Sequence, residues 1–342
     1  MSRLRIGVVG LGHMGKEHVR VVASLPEAEL SAVADIDPTT RDTIARKYQV
    51  PAFADHQQLY GLIDAVIIAV PTSAHRDVAR DFLMRGIPCL VEKPLASSLD
   101  QAEELVTLSQ RFGVLLQVGH IERFNPALLD LERRNLHPRF IQGQRLSLFS
   151  GRCLDVGVVL DLMIHDLDVV LALVRQPVQE VEAVGVSLFG GHEDIAEAWL
   201  TFANGTVASL TASRISTKPS RRLIAYAPDG YVELDFFKKH TLIVQPSAKA
   251  RELGWRPDQL DITWAGLMRE KLFGQWLEVL EFEHNEGDQL TEEIRHFITC
   301  IRCGRRPRVS GEDGRDAIAL AERILARMRC CHRPASSGLR AA

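Results

Sequence analysis

Between residues 3 and 120, short runs of branched apolar residues alternate with stretches patterned for helix. The order is LRIGVV, a helix to about Leu25, LSAVAD, a helix through Lys47, AVIIAV, a helix through Arg85, CLVEK, a helix over 99–112, and VLLQVG. A strand apolar along its whole length has no face to offer water, so it must be covered on both sides. Helices returning between such strands provide that cover and make the strands parallel, which predicts a doubly wound α/β sheet.

Beyond His120 the texture changes. Helical stretches over 125–135 and 155–173 precede the β-rich runs VEAVGVSLF, EAWLTFANGTVASLTAS and RRLIAYAPDGYVELDF. Asn204-Gly205 and Asp229-Gly230 fall between such runs and read as hairpin turns. A large, mostly antiparallel sheet with helices on one face and the other face open is expected, an α+β unit. The stretch 246–274 has mixed polarity and receives no assignment, 288–303 and 312–328 read as helices, and RPASSGLRAA reads as a loose tail. A chain of 342 residues exceeds a comfortable single core, so two domains are expected, 1–122 and 123–342, with the last helix placed to pack back on the first.

The 41 basic and 44 acidic residues nearly cancel, which gives no global field for gathering nucleic acid or an anionic membrane. No apolar run approaches the roughly 18 residues that span a bilayer. The apolar start lacks a small-residue cleavage site and reads as a first strand, so a cytoplasmic protein is expected. Six scattered cysteines fit free thiols, and Cys300-x-x-Cys303 has no second pair beside it, so no metal is expected.

Gly10, Gly12 and Gly15 follow the first strand as G-x-G-x-x-G and open a helix. That pattern suits a tight turn, close approach of a pyrophosphate to the backbone, and tight strand–helix packing. A plain glycine-rich bend would look the same. Asp35, at the end of the second strand, favours the cradle, because a carboxylate there can bind ribose hydroxyls and would repel a 2′-phosphate. No arginine follows until Arg41, so NAD is expected over NADP. Asp37 precedes Pro38 and reads as a helix cap.

VEKPL ends a strand, where ligands of doubly wound sheets bind, and Pro94 fixes the backbone after Lys93. Taken alone, Lys93 also reads as a surface charge. In DVGVVLDLMIHDLDVV, residues 155–170, Asp161 and His165 are four apart and on a helix would share one face. An acid and an imidazole so placed suit proton transfer, although a capped helix with a satisfied histidine fits equally well. Asp161, His165 and His120 could form a metal triad only if the fold brought His120 to the others.

Together GLGHMGKEH, VPTSAH, EKPL and D-x-x-x-H, in this order, resemble the glucose–fructose oxidoreductase, inositol dehydrogenase and MocA family of NAD(P)-dependent sugar and polyol oxidoreductases. The resemblance implies a Rossmann domain, an open-faced sheet domain that mediates dimers or tetramers, and a cleft between them where nicotinamide meets sugar. It carries catalytic roles to Lys93, Asp161 and His165, with Lys93 or His165 as the base. It carries cofactor contacts to Gly10, Gly12, His13, Met14, Gly15, Asp35, Pro71, Thr72, His75, Glu92 and Lys93. Val156-Gly157 stands where many relatives have Gly-Gly, one departure from the pattern.

QVGHIERFNPA and DVGVVLDLMIHDLD are similar more narrowly to UDP-N-acetylglucosamine 3-dehydrogenases. That likeness implies oxidation of the sugar C3 hydroxyl to a ketone, a hydride passing to NAD, and a following aminotransferase in a 3-amino sugar route such as lipid A synthesis. Lys93, Asp161 and His165 would then touch the sugar, with Arg123, Asn125, Arg152 and Arg214 as donors for a UDP moiety. A dehydrogenase of another nucleotide sugar, of a free polyol such as inositol, and a non-catalytic sugar sensor are the rival readings.

Overall fold

The computed structural model describes residues 2–134, 136–149, 156–189, 191–252, 276–284 and 287–329. Strands β1 (Leu4–Val9), β2 (Ala28–Ala34), β3 (Ala52–Phe53), β4 (Ala65–Ile68), β5 (Cys89–Glu92) and β6 (Leu116–Gly119) form one parallel sheet in the order β3-β2-β1-β4-β5-β6. The apolar strands are covered twice, as their composition demands. Along β4, Ala65 and Ile67 join one core with Ile6, Val8 and Leu90, while Val66 and Ile68 join the opposite core with Val9 and Val91. Helices α1 (His13–Ser24), α2 (Pro38–Tyr48), α3 (Thr72–Leu83) and α4 (Leu99–Phe112) connect the strands. Asp37 caps α2 by accepting the Thr39 and Thr40 amides at 3.3 and 3.0 Å, as read from Asp37-Pro38. The strand order reverses between β1 and β4, so their carboxyl ends open a crevice.

The second sheet has eight strands: β7 (Phe140–Leu146), β8 (Val178–Val186), β9 (Ile195–Phe202), β10 (Val207–Ser213), β11 (Ser220–Ala227), β12 (Gly230–Asp235), β13 (His240–Pro246) and β14 (Leu277–Glu283). Its order is β14-β13-β12-β11-β7-β10-β9-β8, antiparallel except where β7 pairs with β10. Hairpins close at Asn204-Gly205 and Asp229-Gly230, where Gly205 and Gly230 have φ of 79° and 139°. Strand β7, in the middle of this sheet, escapes a search for apolar runs because its outward residues are Phe140, Gln142 and Gln144.

One sheet face is covered by α5 (Pro126–Arg133), a π-helical turn (Val159–Met163) and α6 (Ile164–Val174). Val159, Met163, Leu167 and Val170 pack there with Ile141, Leu210 and Leu223. The other face stays open, with Val184, Trp199 and Val279 more than 40% exposed. After the short helix α7 (Ala248–Glu252), two longer ones complete the described chain. Helix α8 (Gln289–Cys303) lays Leu290, Ile294 and Phe297 into the core around β1. In α9 (Gly311–Arg329), Ala317 and Ile318 enter the parallel sheet's core, whereas Leu320, Ala321 and Ile324 enter that of the second sheet. This helix therefore clamps the two layers together.

Candidate active site

Each glycine of the loop has a separate reason. Gly10 has φ of 87°, and a Cβ on it would lie 2.6 Å from the Ala69 carbonyl; on Gly15 it would lie 1.8 Å from Gly10 O. These two glycines let α1 pack on β4 and β1. A Cβ on Gly12 meets nothing within 4 Å, so there the requirement is not internal. The first helical bond of α1 runs from the Lys16 amide to Gly12 O at 3.1 Å, and the preceding amides have no partner within the helix. Gly12 and His13 are exposed, and Met14 is half-buried against the core. Open space before unpaired amides at a positive helix end fits a pyrophosphate.

Asp35 flanks this cradle. Its carboxylate accepts the amides of Leu11 and, at 2.8 Å, of Asp37, which ties the loop to the end of β2. Arg41 turns back to donate to the Asp35 carbonyl at 3.0 Å. Across the crevice, Pro71 precedes α3 and Thr72 opens it. His75 is 1% exposed and lies between two loops, with Nδ1 2.8 Å from Pro94 O and Nε2 2.9 Å from Val70 O; the single N–H of the neutral ring donates to one of these carbonyls. Burial holds its pKa below the usual histidine value.

Lys93 follows β5 through a cis bond to Pro94. The preceding Glu92 is buried and pairs with His18 Nε2 at 2.7 Å, while its other oxygen faces the Lys93 amide at 3.2 Å. Despite the burial, His18 and Lys93 hold the Glu92 carboxyl below its ordinary pKa. From this anchored strand end, Lys93 Nζ donates to the Asp161 carbonyl at 2.6 Å and to its carboxylate at 3.3 Å. Asp161 lies in the π-helical turn and His165 in the first turn of α6, so the regular helical spacing read from sequence is locally widened. Glu193 supports that turn by accepting the Val159 amide at 3.1 Å, and a Cβ on Gly157 would collide with its carboxylate.

His165 is half-buried, with Nδ1 turned inward. Its pKa lies well below the ordinary value because burial disfavours the cation, and Lys93, Arg145 and His120 add to the effect. It is therefore a neutral imidazole able to accept a proton. His120, which spacing could not place, packs edge to face with it at 6.1 Å between ring centres.

The remaining residues singled out from sequence take several positions. Arg123 donates to Asp168 at 3.3 Å, and Arg214 donates to Asp194 at 2.6 Å and to Val156 O at 2.8 Å. Asn125 is fully buried and caps α5 through the Ala127 amide at 3.0 Å. Arg152 lies outside the described residues. Sequence reasoning missed the buried Arg145, which binds Asp166 at 2.8 and 3.0 Å and Glu122 at 3.0 Å. It also missed Arg221, half-exposed, 3.6 Å from Glu122 and 4.7 Å over the Phe237 ring. The QRL segment offered only an ordinary-looking charge; its signal was a charged residue at an inward position of the alternating strand β7.

Residues 4–120 match the model of the oxidoreductase family with an NAD-binding Rossmann fold, and 136–233 match the GFO/IDH/MocA C-terminal domain. The UDP-N-acetylglucosamine 3-dehydrogenase of Acidithiobacillus ferrooxidans is 32% identical over 95% of this chain and 97% of its own. Its solved structure superposes with a TM-score of 0.84, covering 96% of this chain and 99% of that one. The scyllo-inositol 2-dehydrogenase (NAD(+)) of Bacillus subtilis is 26% identical over 91% of this chain and 90% of its own. The chain belongs to the GFO/IDH/MocA oxidoreductase family. As a member it is an NAD-dependent dehydrogenase of the sugar and polyol class.

Gly12 and Gly15 should separate binding from folding. Gly12→Ala is expected to unfold in urea close to wild type while weakening NAD at least about tenfold in calorimetric titration, because its Cβ enters the ligand's space. Gly15→Ala should cost about 2 kcal/mol or more of stability. Wild-type NAD affinity in Gly12→Ala would contradict this division.

Proposed function

We propose that the chain oxidises the C3 hydroxyl of UDP-N-acetylglucosamine to the 3-keto sugar with NAD as acceptor. The observation that carries this reading is the convergence of Lys93, Asp161 and His165 beside the dinucleotide cradle. Full-length similarity to a UDP-N-acetylglucosamine 3-dehydrogenase supports the substrate. Gly12, the first turn of α1 and Asp35 would hold NAD, which supplies a hydride acceptor. His165 takes the hydroxyl proton, since it is neutral and half-exposed. Lys93 directs an N–H at the sugar oxygen and stabilises the negative charge that grows there, and Asp161 fixes the ammonium. His13, Met14, Pro71, Thr72, His75 and Glu92 shape the nicotinamide side.

The diphosphate needs a cationic donor, and Arg221, half-exposed and held to Glu122 only at 3.6 Å, beyond hydrogen-bond distance, is the arginine assigned to it. Arg123, Asn125 and Arg214 then act as the wall that holds the cleft, with Arg152 as a further contact. A ketone at C3 invites transamination, so an aminotransferase would consume the product. The likeness to inositol dehydrogenases supports a second reading, oxidation of a free polyol in the same cleft.

Purified protein with NAD should form NADH with UDP-N-acetylglucosamine and not with myo-inositol, glucose or UDP-N-acetylglucosaminuronic acid. Lys93→Met and His165→Asn should each lower kcat at least about a hundredfold. NADH from inositol alone would replace the substrate, and near-normal turnover in both variants would remove the assigned roles.

The open face of the second sheet, with exposed Trp199, Val184 and Val279, supports assembly of the chain with copies of itself. Light scattering should give a dimer or tetramer mass; a monomer at micromolar concentration would refute that part.

A further inference from the structure

Beside His165, two helical stretches face each other with matched pairs. His120 and Arg123 are three residues apart at the 3-10 turn Ile121–Phe124, and His165 and Asp168 are three apart on α6. The pairs meet as rungs: His120 lies on His165 at 6.1 Å between ring centres, and Arg123 Nη1 donates to Asp168 Oδ1 at 3.3 Å. His120, Arg123 and Asp168 are 0, 8 and 2% exposed. Between the rungs, His120 Nδ1 and Nε2, His165 Nδ1, Arg123 Nε and Asp168 Oδ2 are buried and have no hydrogen-bond partner among the described residues. Native interiors rarely keep so many polar atoms unpaired in one place, and ordered water is their usual partner. Arg123 and Asp168 also line a surface cavity of about 620 Å³, together with Arg306, Arg308, Asp313 and Asp316.

We propose that His120 and Asp168, with ordered water between them, carry the substrate's hydroxyl proton from His165 to this cavity, a rear exit separate from the mouth of the cleft. The inference rests on the reading above that a hydroxyl proton is removed at His165, for whichever alcohol occupies the site. In the reaction the alcohol's O–H and C–H bonds break. The C–H electron pair leaves as hydride for NAD, the carbon becomes a ketone, and one proton remains. His165 receives that proton at Nε2 and releases one from Nδ1 to water, His120 takes it at one ring nitrogen and releases one from the other, and the Asp168 carboxylate hands it to the cavity. Every protein group regains its charge; the two imidazoles are left as the opposite tautomers and are reset by proton exchange with water before the next turnover.

Charges around the route favour outward movement. His165 faces Lys93, Arg145, His120 and Arg221, so a proton held there is pushed away. Burial, with Lys93 and Arg123 nearby, holds His120 down to about 3, so it stays neutral and does not trap the proton. Asp168 faces Arg123, Asp313 and Glu132, and burial raises its carboxyl to about 7, where it both takes and gives a proton at neutral pH.

The test uses Asp168→Asn, His120→Gln and Asp168→Glu with whichever alcohol the wild type oxidises. Asp168→Asn and His120→Gln should lower kcat at least about tenfold with KM for alcohol and NAD nearly unchanged, and added imidazole should restore much of the loss. Asp168→Glu should keep turnover. A merely structural role predicts loss without imidazole rescue. Independently of turnover, the ¹⁵N resonances of His120 and His165 in the NAD-free enzyme should move together in Asp168→Asn. Oxidation of inositol but not of the UDP sugar would remove the substrate reading and leave these variants to judge the route. Wild-type kcat in Asp168→Asn and His120→Gln, or unmoved imidazole resonances, would overturn it.

Discussion

The cleft depends on one bridge between its two walls, the Lys93 ammonium donating to the carbonyl and carboxylate of Asp161 at 2.6 and 3.3 Å. Lys93 ends a strand of the parallel sheet, and Asp161 sits in the helical turn that covers the second sheet. Neither side chain would be positioned by its own element alone. On one side, His18 in α1 grips Glu92, whose carboxylate accepts the Lys93 amide. On the other, Glu193 receives the amide at the start of the π-helical turn. Helix α9 then fixes the spacing between walls by contributing to both cores.

Behind the bridge lies a buried ionic hub that sets where His165 stands. Arg145, 2% exposed on β7, holds Asp166 with two bonds and Glu122 with a third, so α6 and the 3-10 turn are tied to the same strand. Burying these charges together is tolerable only because nearly every polar atom is matched; removing the arginine would strand two carboxylates. Burial pushes the Asp166 carboxyl up against the pull of Arg145, and the same cation helps keep the neighbouring His165 neutral. Structure and electrostatics thus share a residue: the charge that anchors the helix also acts on the imidazole it carries.

The alternation of apolar strands with helices was enough to read the parallel sheet, since strands covered on both faces leave a continuous hydrophobic record. The glycine loop, Asp35 and the Lys93 strand end were legible for the same local reason. The second sheet was legible in the β-rich runs that became β8 to β12 and at their hairpins; β7 and β14 escaped, because they carry Gln142, Gln144, Glu278 and Glu281 and one face of this sheet is open. What sequence could not give was distance across the chain. His18 with Glu92, His120 with His165, and Arg145 with Glu122 and Asp166 are pairings between elements, and each partner alone looks like a surface charge or a core histidine. Arg123, Asn125 and Arg214 show the converse: donors that suit a diphosphate by type are held by protein partners.

The central claim is that this cleft removes hydride from a sugar carbon whose hydroxyl proton goes to His165. The most direct measurement is single-turnover reaction of NAD-loaded protein with UDP-N-acetylglucosamine deuterated at C3, followed by mass analysis of the nicotinamide. The account predicts a slowed turnover and one deuterium on the reduced nicotinamide. Reduced nicotinamide without deuterium, or no reduction while an unactivated polyol transfers its own label, would contradict it.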